Sequence, residues 1–119
     1  MNELDSATRH ELIILSRRSK SRVSKFIPKR PTDWRPGTVI NPDGVLEKYF
    51  TDASAWEFIA LKLEQMHPVK VVNLRKPAGA KGYVMKIDID ANIPQLYVKL
   101  QLGSGKIYGR SFHYSIHSK

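Results

Sequence analysis

The sequence predicts an α+β fold in which N-terminal helices pack on a C-terminal four-stranded antiparallel sheet, as one domain over residues 1–119. Three observations predict it. The stretch "FTDASAWEFIALKLEQMH" has apolar residues at helical spacing, the segments after Pro68 alternate apolar with polar residues, and the elements run helix, helix, strand, strand, strand, strand.

Residues 1–24 read as a basic helix that Ser6 opens, with an apolar stripe at Leu12, Ile13 and Leu15 and the tail "RRSKSRVSK". The tail suits either a nucleic-acid-binding arm or a solvated helix end whose positive charge complements the macrodipole. Residues 25–50 hold four of the seven prolines and predict a long extended connection that crosses the surface, with Trp34 as an anchor and a turn at "NPDG". Residues 51–67 form the core helix. Ser54 and Glu57 have capping-box spacing, Trp56, Ile59, Ala60, Leu63 and Met66 share a face, and Phe58 and Leu61 widen it. Residues 68–116 form the antiparallel meander: "VKVVNL", "YVMKIDID", "QLYVKLQL" and a last strand after the tight turn "GSG".

Composition narrows the function. The chain has no cysteine, which removes disulfides, cysteine nucleophiles and thiolate metal sites and suits a reducing cytoplasm. The N-terminal apolar run Leu12 to Leu15 is too short for a signal peptide or a membrane span. The net charge of +9 predicts attraction to polyanions, and the excess is uneven, +2 over residues 1–59 against +7 over 60–119. Because the excess lies in alternating segments and not on an amphipathic helix, nucleic acid or an acidic protein is expected over a membrane.

The alternation assigns faces. Leu96, Val98, Leu100 and Leu102 share one face of their strand, leaving Gln95, Tyr97, Lys99 and Gln101 on the other; Met85, Ile87 and Ile89 point inward and Lys86 and Asp88 outward. In the last strand Ile107 and Phe112 both suit the interior but are five residues apart, so a bulge is expected at Gly109, with Arg110 at the irregular point and Ser111, His113 and Ser115 turned out. The open face then carries Lys86, Tyr97, Lys99, Gln101, Tyr108, Arg110 and His113 on strands about 4.8 Å apart. Acids are scarce among them, which points to an anionic ligand.

Other chemistries lack a setting. There is no G-x-S-x-G elbow for a nucleophilic serine, His10, His67, His113 and His117 show no metal-ligand spacing, and "GAKG" and "GSG" are turns without a P-loop context. No metal and no cofactor is expected. General acid-base cleavage of a phosphodiester fits the residue types: a base for the ribose 2′-hydroxyl, an acid for the leaving 5′-oxygen, and cations for the phosphorane. DNA lacks that hydroxyl, so such a site acts on RNA.

The closing stretch "LYVKLQLGSGKIYGRSFHYS", on a small basic chain with N-terminal helices and a C-terminal meander, resembles the RelE and MqsR type of bacterial toxin, ribonucleases with a barnase-like fold. The likeness covers roughly residues 50–116 and is one of pattern. It departs from the type in the long segment 25–49 and in the ending "FHYS". The resemblance implies a metal-independent endoribonuclease of a toxin–antitoxin pair, with RNA, including ribosome-bound mRNA, as substrate and a small antitoxin protein as partner. By position it places catalytic groups at Tyr97, Lys99, Arg110 and His113. Lys81, Lys86, Gln101, Lys106, Tyr108 and Ser111 are the expected RNA contacts. The alternative is a non-catalytic nucleic-acid-binding module that uses the same basic face.

Overall fold

The computed structural model describes residues 4–115, an α+β fold with two helices and a six-stranded mixed sheet. Ile116 of the expected meander and His117 lie outside the described residues. Helix α1 spans Ser6–Ser16 and is capped by Asp5, whose Oδ1 accepts a hydrogen bond from the Thr8 amide at 3.3 Å, so the cap lies one residue before the expected Ser6. The helix buries Leu12 and Leu15 and stops eight residues short of the expected end. Beyond Ser16 the six residues 17–22 hold no apolar side chain to continue the stripe. The chain instead makes a 3₁₀ turn over Ser19–Ser21 and enters strand β1, Arg22–Val23.

Helix α2, Asp52–Glu64, begins in a capping box made by Thr51 and Ser54, one turn earlier than the expected pair Ser54 and Glu57. It buries Ala55, Trp56, Phe58, Ile59, Ala60 and Leu63. Leu61 and Met66, expected on that face, are exposed, and Met66 follows the helix end with a φ of 63°.

Strands β3 (Lys70–Asn73), β4 (Lys81–Ile87), β5 (Leu96–Gly103) and β6 (Lys106–Tyr114) form the antiparallel meander. Ser104 and Gly105 both take positive φ in the hairpin between β5 and β6, the conformation a two-residue turn requires. The sheet is larger than the four strands expected. The proline-rich connection contributes β2, Asp33–Trp34, and both β1 and β2 pair in parallel with the free edge of β6, giving the order β1-β6-β5-β4-β3 with β2 also on β6. Two-residue strands are too short to carry periodicity, so alternation does not reveal them.

One face of the sheet packs on the helices. Met85, Ile87, Leu96, Val98, Leu100, Ile107 and Phe112 meet Leu12, Leu15, Trp56, Ile59 and Leu63 in one core. Trp34 closes it from the side: its ring centroid lies 4.8 Å from that of Trp56 and 5.3 Å from that of Phe112, and its Nε1 donates to Asp52 Oδ1 at 2.7 Å.

Lys99 pairs with Ser111 and Leu100 with Gly109, so the extra residue of the bulge is Arg110 and not the expected Gly109. Gly109 is needed for another reason. Its φ is not in the left-handed region, and a Cβ there would lie 2.5–2.8 Å from three atoms of the Trp34 ring. The glycine is the floor on which the indole lies. Gly109→Val should therefore destabilise the protein by about 1–3 kcal/mol, as overpacking does. Trp34→Leu in the same chain should recover part of the loss, read as a non-additive double-mutant cycle in chemical denaturation. Strict additivity would show that the two positions do not conflict.

Candidate functional site

The register places three rows of side chains across the sheet face that points away from the helices. Lys86, Tyr97 and His113 form the first, Lys70, Val84, Lys99 and Ser111 the second, and Val72, Gly82, Gln101 and Tyr108 the third. Tyr97, Lys99 and His113, which the sequence assigns to catalysis, are thus neighbours, and the Tyr97 and His113 ring centroids are 5.5 Å apart. Arg110 stands at the bulge beside Lys99. Lys86 is exposed in the first row and Lys106 is exposed at the far end of β6, where its Nζ donates to the Lys20 carbonyl at 3.2 Å. Lys81 has the strand parity of Tyr83 and Met85, so it falls on the helix side and is not brought to this face.

The face is less open than alternation implies. Gln101, Arg110 and Ser111, expected as solvent-facing contacts, are all buried, at 6%, 5% and 6% exposure. The proline-rich segment before β2 covers them. Arg110 Nε donates to the Pro31 carbonyl at 2.8 Å and its Nη1 to Gln101 Oε1 at 2.8 Å, while the Arg30 guanidinium lies 4.1 Å from the centre of the Tyr108 ring. Gln101 and Tyr108 therefore hold arginines in place.

His113 gains a partner that sequence reasoning missed. Its Nδ1 lies 2.8 Å from the Tyr114 carbonyl, and its Nε2 is 3.3 Å from Asp33 Oδ2. Asp33 in turn accepts from Arg35 Nε at 2.6 Å and Nη2 at 2.9 Å. That two-point hydrogen bond with Arg35, with a smaller contribution from the charge of His113, holds the Asp33 carboxyl below its ordinary range. The only cue in the sequence is that Asp33 is a lone acid among the bases of "KRPTDWR". Nothing local connects it to residue 113.

Burial pushes the Tyr97 hydroxyl pKa up. Lys99 is pushed down, first by burial and then by the charge of Arg110, and Arg110 is itself lowered by burial and by Arg30. Among the described residues no group of three or more His, Cys, Asp or Glu side chains gathers to hold a metal ion, and no helix is long and apolar enough to cross a membrane. The arrangement offers fixed positive charge, one histidine set against a carboxylate, and a lysine whose amine is closer to its neutral form than an exposed one.

The lowered Lys99 pKa fixes a sign. A base depressed in the folded state makes the protein more stable as pH rises through the folded pKa toward the ordinary value of 10.5, and that gain is absent at neutral pH. Lys99→Met keeps the stem and removes the charge. It should raise the denaturation midpoint at pH 7 and abolish the alkaline rise expected of the parent; a lower midpoint at pH 7 would mean that the ammonium is stabilised by its surroundings. Comparison with protein-family models, with curated proteins and with solved structures finds no match for the chain.

Proposed function

We propose that the protein is a metal-independent endoribonuclease that cleaves RNA on the outer face of its sheet by attack of the ribose 2′-hydroxyl. The observation that carries this reading is the grouping of Tyr97, Lys99 and His113 on adjacent strands, with Asp33 against the imidazole. His113 Nε2 exchanges Asp33 for the substrate and moves the proton, while the Tyr114 carbonyl at Nδ1 keeps the ring's orientation. Lys99 and Arg110 carry the positive charge that a phosphorane attracts. Two of Arg110's nitrogens are already bonded to protein, so its direct contact with phosphate falls to Nη2. In keeping with the resemblance to RelE-type and MqsR-type toxins, a small antitoxin with an acidic segment would cover this face, and ribosome-bound mRNA is one form the substrate takes.

One observation favours a second reading, a module that binds nucleic acid without cutting it: both ring nitrogens of His113 and two donors of Arg110 already face protein acceptors. Single-turnover cleavage of a short RNA in excess EDTA separates the two. The parent should cut RNA and spare the 2′-deoxy strand, and His113→Ala should lower the rate by roughly 10²–10⁴-fold while circular dichroism shows it folded. Arg110→Lys should also be damaging, because an ammonium cannot replace the fork that spans Pro31 and Gln101. Uncut RNA that binds with undiminished affinity would establish the binding module. Cleavage abolished by EDTA would remove the metal-free mechanism.

A further inference from the structure

Beside the row of His113 lies a cleft of about 490 Å³ between the loop after β3 and the segment before β2, and its charged lining residues are Arg75, Lys76, Lys99 and Arg110, with no acid among them. A shallower cleft between Pro28, Lys29 and Pro77 adjoins it and shares Lys76. Several features of this region suit an anionic ligand. Arg110 is a 5% exposed guanidinium whose protein partners, the Pro31 carbonyl and the Gln101 amide oxygen, are both neutral. Lys99 and Arg110 repel each other, as do Arg110 and Arg30. Arg30 Nε is buried with no hydrogen-bond partner among the described residues. Charges buried without a counter-charge are costly unless something neutralises them.

We propose that the outer part of this cleft is a phosphate subsite for a single-stranded nucleic acid: Arg75 and Lys76 hold a backbone phosphate next to the one that Lys99 and Arg110 face, and they take no part in bond cleavage. The proposal rests on the nucleic-acid reading of this face but not on its being an enzyme. Arg110 lies three residues from His113 along β6, roughly 10 Å. The cleft is thus offset along the strand from the His113 row, and Lys76 and Lys29 continue it outward. A linear polyanion can follow such a track, whereas a single phosphate ion uses only one point of it.

The test uses Arg75 and Lys76, exposed loop residues with no assigned catalytic role. Their joint reversal, R75E/K76E, is compared with K48E/K62E, an equal change of charge placed off the sheet face. The probe is a fluorescent 2′-deoxyoligonucleotide of about ten residues, which the enzyme reading says cannot be cut. R75E/K76E should weaken its binding about tenfold or more and reduce the slope of log affinity against log salt by roughly 1–2, with K48E/K62E close to the parent. Equal losses in the two variants would overturn the subsite, since a general field would then explain binding. Inorganic phosphate or a polyglutamate peptide that competes as well as the oligonucleotide at equal charge would overturn the assignment to a nucleic-acid strand. The two proposals fail separately. Cleavage that persists in R75E/K76E with an unchanged KM removes the subsite and keeps the ribonuclease, whereas selective loss of oligonucleotide binding in a protein that never cuts RNA keeps the subsite and removes the ribonuclease.

Discussion

The contact between the Trp34 indole and the bare backbone of Gly109 joins three parts of the molecule that share no local sequence. Trp34 reaches α2 through Asp52 and Trp56, reaches the last strand through Phe112, and sets the course of the proline-rich segment whose neighbouring residues supply Asp33 and Arg35. A side chain at residue 109 would lift the ring, and the segment would lift with it. Prolines before and after Trp34 restrict the backbone on both sides, so little chain entropy remains to be lost when the segment docks. That combination explains how two-residue strands hold their places on a sheet edge where such short ladders would not persist by themselves.

Cations gather on the outer face from two sources, the strands, which supply Lys86, Lys99 and Arg110, and the roofing segment, which supplies Arg30. Arg30 and Arg110 come from opposite sides of the cover and are kept apart by what they bind: one lies on the Tyr108 ring, and the other is held between the Gln101 amide and the Pro31 carbonyl. These partners are neutral, so they fix geometry without cancelling charge. The consequence is a surface whose positive potential is pre-set in position and not spread over mobile side chains, the condition under which a developing or bound negative charge gains most. The bulge serves the same end by turning Arg110 toward the cover and Lys99.

The core helix and four antiparallel strands were legible because their signals are periodic and local: a helical stripe around Trp56 and Ile59, and alternation through Leu96, Val98 and Leu100. The irregularity in the last strand was legible as a conflict between Ile107 and Phe112, although its position was assigned to the glycine and not to the arginine beside it. The rest depended on contacts between distant segments. Gln101 and Ser111 have the parity of exposed residues and are buried, Gln101 beneath Arg110, which Pro31 covers, and Ser111 beside Asp33 of β2. Asp33 meets His113 for the same reason. Alternation tells which side of a strand a residue takes; it says nothing of what another part of the chain lays over that side.

The hydrogen bond from Arg110 to Pro31 spans 79 positions of sequence, and β1 and β2 both pair with the last strand and with no other. During synthesis the basic arm and the proline-rich segment emerge first and have no sheet edge to join. They stay without their partner until residues 107 to 114 have been made. Closing a loop over such a separation also costs more chain entropy than forming the hairpins between β3 and β6 from neighbouring residues. A chain interrupted before its final strand therefore lacks the partner of both short strands, along with Arg110 and His113.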